Sequence, residues 1–223
     1  MKSKIQEDFS MKKCIVCLLT LVMLVSMTAC TPPWDVPVAE KPVIYLYPEE
    51  ETGVMVELDY NGTLLCTYPE YADGWSVIAS PDGTLRDTVT GKEYSYLFWE
   101  GVADIRWDMT RGYVVKGSET ANFLEETLTK MGLSPRERND FITYWLPRMA
   151  NNPYNLITFQ EELYTESAVL SITPTPDSLL RVFMVYQPLT KPIEVEAPEI
   201  KPFERKGFTV VEWGGAAMLG TLQ

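Results

Sequence analysis

Histidine is absent from this 223-residue chain, and its absence removes much of the chemistry that enzymes of this size use. A Ser-His-Asp triad, a Cys-His dyad, an HExxH zinc helix and an imidazole pH switch all need that side chain. Basic residues are also scarce, since 19 lysines and arginines stand against 31 aspartates and glutamates, for a net charge of −12. Because nucleic-acid binding needs a cationic surface, no nucleic-acid partner is expected.

Cysteine is nearly as rare, with four residues, of which Cys14, Cys17 and Cys30 lie near the N-terminus. Cys66 is the one thiol of the remaining chain, so no disulfide is expected there. Thiolate zinc and iron–sulfur sites lack ligands, and we expect neither a metal nor a cofactor. The apolar neighbours of Cys66 in TLLCTY predict a small buried hydrophobic side chain rather than a nucleophile.

A short apolar run without charge extends from Cys14 to Val25, directly after Lys12-Lys13. The run falls short of the roughly 20 residues that a spanning helix needs, and small residues follow it, so it predicts a secretory signal peptide. Its end, Met27-Thr28-Ala29-Cys30, resembles the lipobox of bacterial lipoproteins, in which the cysteine becomes the lipidated (palmitate-carrying) first residue of the mature chain. Ordinary cleavage without lipid is the alternative.

These signals divide the chain into four parts. They are a signal peptide with lipobox (1–30), a proline-rich tether (31–41), a single globular domain (42–215) and a C-terminal tail (216–223). Two acidic residues at positions 7 and 8 are unusual in a leader, which makes Met11 an alternative start. Removal of residues 1–30 leaves 15 basic and 29 acidic residues, a net charge of −14. The expected location is extracytoplasmic, anchored to a bacterial membrane by lipidated Cys30.

Two-residue alternation dominates most of the domain. Val54, Val56 and Leu58 alternate with polar residues, and Asn61-Gly62 with TLLCTY after it predicts a hairpin over 54–68. Further strands are predicted at 43–47, 74–80, 93–100, 112–117, 154–160, 168–173, 179–186, 193–196 and 208–213.

Helical spacing is confined to about residues 118–146. Apolar residues recur every three or four positions from Phe123 to Met131, and Gly132 ends that helix. Ser134 to Glu137 forms a capping box, which predicts a second helix over 135–146, before Pro147. Because the helices are grouped, we predict an α+β domain, a predominantly antiparallel β sheet or sandwich with one helical pair.

Five segments resemble a family of bacterial secreted or lipid-anchored proteins, with similar segments in fungal proteins. They are KPVIYLYP (41–48), YLFWEG (96–101), FITYWLPRM (141–149), LLRVFM (179–184) and GFTVVEWGG (207–215). The resemblance covers nearly the whole mature chain and implies a single domain. The family has no assigned activity, so the resemblance implies no catalytic residues.

Glu100 and Glu212 are the candidate catalytic residues. Each ends a predicted strand beside a tryptophan and close before a glycine, and paired carboxylates among aromatic residues are what glycosidases use. The other interpretation is that each caps a turn or pairs with an arginine. Carboxylates about 5–5.5 Å or 6.5–9.5 Å apart across a groove would favour an enzyme, and burial of both would favour a binding module.

Arg181 is the second unusual residue, because both alternation classes of LLRVFMVY are otherwise apolar. A buried charge needs a partner, and we expect Glu212 or Glu100 to supply it. Arg181, Trp99 and Trp213 are the candidate binding residues. The tryptophans with four tyrosines, Tyr45, Tyr47, Tyr94 and Tyr96, either line a sugar groove or belong to the core.

The sequence as a whole favours a lipid-anchored envelope protein, a non-catalytic module that binds a glycan or a protein. The alternative is a carboxylate-dependent polysaccharide hydrolase that uses Glu100 and Glu212. The expected partners are the membrane, through the lipid on Cys30, and an envelope glycan or protein, since a charge of −14 disfavours anionic ligands.

Overall fold

Residues 38–218 are described by the computed structural model, and they form two β-sheets and three α-helices. The predicted signal peptide, lipobox and first part of the tether lie outside the described residues. Within the described range, no helix is long and apolar enough to cross a membrane.

Twelve strands make up the sheets of this range. They are β1 (Val38–Tyr47), β2 (Thr52–Tyr60), β3 (Thr63–Tyr68), β4 (Trp75–Ala79), β5 (Leu85–Asp87), β6 (Glu93–Tyr94), β7 (Leu97–Val102), β8 (Tyr113–Lys116), β9 (Tyr154–Gln160), β10 (Ala168–Thr173), β11 (Ser178–Leu189) and β12 (Thr209–Ala217). The large sheet has the order β3-β7-β1-β12-β11-β9-β8, and the small sheet has the order β10-β2-β4-β5-β6. Neighbouring strands are antiparallel except for β11 and β12, which are parallel. The predicted α+β class is therefore confirmed.

The large sheet is the middle of three layers. Its inner face packs against the small sheet, and this core contains Ile44 and Leu46 of β1 with Val54 and Val56 of β2. Its outer face is covered by the helical pair, in a second core that contains Val43, Tyr45, Leu124, Phe141 and Trp145. Burial on both faces explains why the central strands are apolar in both alternation classes.

The helices are α1 (Thr120–Lys130), which follows a short 3-10 turn at Gly117–Glu119, α2 (Pro135–Met149) and α3 (Glu162–Ser167). The predicted capping box is present, since Ser134 and Glu137 each bond the other's backbone N–H. The predicted end before Pro147 is wrong, because α2 continues to Met149. A proline removes only one helical hydrogen bond, and the last turn is retained by the buried Met149 side chain and the Ala150 N–H, which donates to the Leu146 carbonyl.

The predicted hairpin over 54–68 is wrong. Strand β2 belongs to the small sheet and β3 to the large one, so Asn61-Gly62 carries the chain from one sheet to the other. A Cβ on Gly62 would lie 2.3 Å from the Val102 carbonyl oxygen, which shows how closely this crossing passes the large sheet. The alternation in β2 was identified correctly, but a turn dipeptide does not specify which strands pair.

Two boundaries, one strand and one helix also differ from expectation. Residues 38–41, assigned to the tether, belong to β1, whose ladder passes Pro42 by means of a bulge in which Lys41 has a φ of 51°. Residues 216–217 extend β12 into the predicted tail. Residues 193–196 form no strand, since this segment makes only an isolated bridge from Glu196 to Arg111, and α3 was not predicted.

The predicted burial of Cys66 is also wrong, because the thiol is exposed. Among the described strands β3 lies at an edge and pairs with β7 alone, so its apolar residues are less covered than the TLLCTY pattern implies.

We expect Cys66 to react stoichiometrically with a thiol reagent in the folded protein, at close to the rate found after denaturation. A Cys66→Ser variant, which serves as the unlabelled control at this position, should change the free energy of unfolding by less than about 0.5 kcal/mol. Mass spectrometry after labelling measures the reaction at this position. Protection of the native thiol would contradict the exposed position of β3.

Candidate functional site

Arg181 and Glu212 form an ion pair between parallel neighbours in the centre of the large sheet. The two residues are directly opposite in the β11–β12 register, and the Arg181 Nε lies 2.7 Å from the Glu212 Oε2. Their side chains are 7% and 0% exposed, respectively. Of the two partners that the sequence predicted for Arg181, Glu212 and Glu100, the structure gives it Glu212.

Two aromatic residues complete what we call the inner cluster: Arg181, Glu212, Trp99 and Tyr164. The Trp99 indole N–H donates to the second oxygen of Glu212, at 3.1 Å. The Arg181 guanidinium lies over the Tyr164 ring at 4.7 Å, and that ring stacks on Phe183 at 4.0 Å. Among the described residues, the Nη2 of Arg181 has no hydrogen-bond partner.

The electrostatics of the inner cluster favour the charged form of Arg181 and the neutral form of Tyr164. Burial alone would lower the pKa of Arg181, but the Glu212 carboxylate together with Tyr164 outweighs burial and raises that pKa above its usual value. Burial, followed by the charge of Glu212, raises the pKa of Tyr164 well above its usual value. Both shifts make Arg181 and Tyr164 hold their protons more firmly, so neither is a proton donor suited to neutral pH.

Glu100 lies on the opposite face of the large sheet from Glu212. Trp99 points inward to Glu212, and successive side chains of a strand alternate between faces, so Glu100 points outward. The structure does not bring the two candidate carboxylates together, and the sheet itself separates them.

Glu100 belongs instead to an outer cluster with Glu40, Lys41, Tyr144 and Arg148. The Lys41 backbone N–H donates to Glu100 at 3.3 Å, and the Tyr144 hydroxyl donates to Glu40 at 3.1 Å. The Arg148 Nε lies 3.8 Å from the Glu40 carboxylate. Burial, followed by the Glu40 charge, raises the pKa of Tyr144. These groups satisfy one another at the end of α2.

Trp213 lies beneath the outer cluster and is fully buried. Its ring packs on Phe141 with centroids 5.2 Å apart, and the Lys41 ammonium lies 5.7 Å above it. Every tryptophan within residues 38–218 is buried, namely Trp75, Trp99, Trp107, Trp145 and Trp213. The predicted binding residues Trp99 and Trp213 therefore have no face open to a ligand.

Exposed aromatic surface occurs instead at a corner of the sandwich, where β3 and β6 are both edge strands. A cavity of about 430 Å³ there, the tyrosine cleft, is lined by Tyr68, Thr84, Glu93, Tyr94, Ser95 and Tyr96. Tyr68 is 62% exposed, and its ring meets that of Tyr94 at 85° with centroids 5.3 Å apart. Tyr94 and Tyr96 were among the tyrosines for which the sequence left two roles open, a sugar groove or the core. Tyr68 was missed, because its exposure follows from the edge position of β3, which the sequence pattern does not specify.

No group of three or more metal-ligating side chains occurs in the part of the chain that the structure describes.

Glu212→Gln should lower the free energy of unfolding by about 1 to 3 kcal/mol, because it removes the charge that Arg181 needs inside the sandwich. The matched control, Glu100→Gln, should lower it by less than about 0.5 kcal/mol, since Glu100 is half-buried and accepts one long bond. Denaturant unfolding of both variants measures the difference. An equal loss of unfolding free energy in the two variants would contradict a special structural role for the Arg181–Glu212 pair.

A stretch of 95 residues, 40% of this chain, is 43% identical to an uncharacterized protein in the bglA 3′ region of Butyrivibrio fibrisolvens and covers 97% of that protein. No protein-family model matches the chain, and no solved structure matches it. The chain therefore belongs to the same family as the uncharacterized Butyrivibrio fibrisolvens protein.

Proposed function

We propose that this protein is a lipid-anchored, extracytoplasmic binding module without catalytic activity, and that the tyrosine cleft binds a neutral glycan. The observation that carries the proposal is the meeting of Tyr68, Tyr94 and Tyr96 around one cavity. Small-ligand sites combine aromatic walls with a few polar groups that fix orientation, and the cleft has both.

The polar groups of the cleft suit a sugar. Ser95 and Thr84 each carry a hydroxyl that donates and accepts, and the Glu93 carboxylate accepts from ligand hydroxyls. A tyrosine offers an apolar ring and a polar tip, which match the two kinds of surface on a sugar ring. The net charge of −12 disfavours anionic polysaccharides, so a neutral glycan is the better ligand.

The alternative function, hydrolysis by Glu100 and Glu212, has less support. A glycosidase needs both carboxylates on one scissile bond, and here they lie on opposite faces of the large sheet. Glu212 is also enclosed by Arg181 and Trp99.

Cys30→Ala should release the protein from membranes into the soluble fraction. Each buried CH₂ of an acyl chain contributes about 0.8 kcal/mol, so a multiply acylated Cys30 anchors the chain firmly. Fractionation, with mass spectrometry of the N-terminus, tests the proposal. Recovery of the wild-type protein in the soluble fraction, without lipid, would contradict the lipid anchor.

Tyr68→Ala should weaken glycan binding by about fivefold, the loss expected from removing an aromatic contact worth about 1 kcal/mol. Tyr68→Phe keeps the ring and should bind within about twofold of wild type, because only the hydroxyl is lost. Affinity electrophoresis with soluble β-glucan, mannan and xylan measures this, with alginate as the anionic control.

Two results would count against a glycan-binding module. One is the absence of any retardation by the neutral polysaccharides, or a retardation that Tyr68→Ala leaves intact. The other is release of new sugar ends by wild type that is lost in both Glu100→Gln and Glu212→Gln, which would favour the hydrolase.

A further inference from the structure

Strand β11 is longer than the strand beside it. Strand β9 ends at Gln160, opposite Phe183, whereas β11 begins at Ser178. Residues 178–182 of β11 therefore pair with β12 on one side only.

The backbone groups on the unpaired side can be identified from the hydrogen bonds at the two ends of β11. The Ser178 N–H donates to Phe208 and the Tyr186 carbonyl accepts from Met218, so both residues bond toward the β12 side. Since this direction alternates along a strand, Leu179 and Arg181 present their N–H and C=O groups to the other side. Within residues 38–218, those four groups have no hydrogen-bond partner.

This open edge is the floor of a cavity of about 370 Å³, which we call the β11 slot. Met131 and Phe203, which belong to the outer core, form an apolar wall. Glu161 and Glu162, which are exposed, lie on the opposite side with α3, whose Tyr164 covers the inner face of Arg181. The slot thus offers an unpaired ladder between one apolar and one acidic wall.

The exposed charges of the slot are mainly acidic. Glu161 and Glu162 have no ion-pair partner among the described residues, and Lys201 is the one exposed cation among the residues that line the cavity. Arg181 also lines it, but its charge is already paired with Glu212. Two carboxylates against one free ammonium, on a chain of net charge −12, attract a cationic ligand.

We propose that the β11 slot binds an extended, basic polypeptide segment, which adds to the large sheet as an antiparallel strand where β9 stops. Its backbone pairs with Leu179 and Arg181, as in other cases of β-strand addition. Residues directly opposite these two share their face of the sheet, so they direct basic side chains to Glu161 and Glu162. The alternate residues direct apolar side chains to Met131 and Phe203. The proposal is independent of the glycan proposed for the tyrosine cleft.

The test uses the full chain, purified in nonionic detergent, and the capped peptide Val-Lys-Val-Lys-Val. Calorimetric titration should show binding, and a Glu-for-Lys peptide should not bind. A third peptide, the control for backbone pairing, has the same sequence but carries methyl groups on the backbone nitrogens of the two lysines. It keeps every side chain but loses the donors to β11, so it should bind at least about tenfold more weakly. In isotope-labelled protein, the amide signals of Leu179 and Arg181 should move on binding.

A matched pair of variants tests the same edge from the protein side. Leu179→Pro removes an N–H that bonds nothing in the fold, so binding should be lost while the melting temperature changes little. Leu179→Ala keeps the N–H and should retain binding. Tyr68→Ala should retain it as well.

Three results with the wild-type protein would each overturn the proposal: absence of peptide binding, equal binding of the methylated peptide, or equal binding of the acidic peptide. None of them depends on whether Leu179→Pro folds.

Discussion

The ion pair between Arg181 and Glu212 determines how the middle layer of this domain is assembled. Taking two charges out of water costs several kcal/mol for each ion, and this is offset only when they meet with good geometry. In the observed register of β11 and β12 they do meet, and Trp99 satisfies the second carboxylate oxygen. A slip of one residue would turn Arg181 to the helical face and leave Glu212 unpaired in the core. We infer that the ion pair specifies the register of β11 against β12, which are the one parallel pair of strands in the described sheets.

This arrangement also explains where ligands can bind. The middle sheet is covered by the small sheet on one face and by α1 and α2 on the other, so its centre is closed to solvent. What remains open is the margin of the sandwich. The tyrosine cleft lies where two edge strands meet, and the β11 slot lies where β9 ends early. Both proposed sites are therefore consequences of strand length and order rather than of the buried charges.

Sequence reasoning succeeded where the signal was local or was required by burial. The capping box at Ser134 could be read directly, and a lone arginine in an apolar strand had to have a carboxylate partner. It failed where the outcome depends on which strands become neighbours. The Asn61-Gly62 turn joins two sheets, and Cys66 is exposed because no strand of the described range pairs beyond β3. Tyr68 was missed for the same reason, since its exposure follows from the edge position of β3.

The two glutamates that looked equivalent in sequence differ in a way that strand geometry makes plain. The order is Trp99-Glu100 in β7 but Glu212-Trp213 in β12. Because side chains alternate, the inverted order puts Trp99 and Glu212 on the inner face, and Glu100 and Trp213 on the outer face. Each face then has a charge cluster beside a tryptophan, with Arg181 and Glu212 next to Trp99 inside, and Lys41 and Glu100 near Trp213 outside. The likeness that suggested a catalytic pair is thus better explained as two charge clusters that stabilise opposite faces of the same sheet.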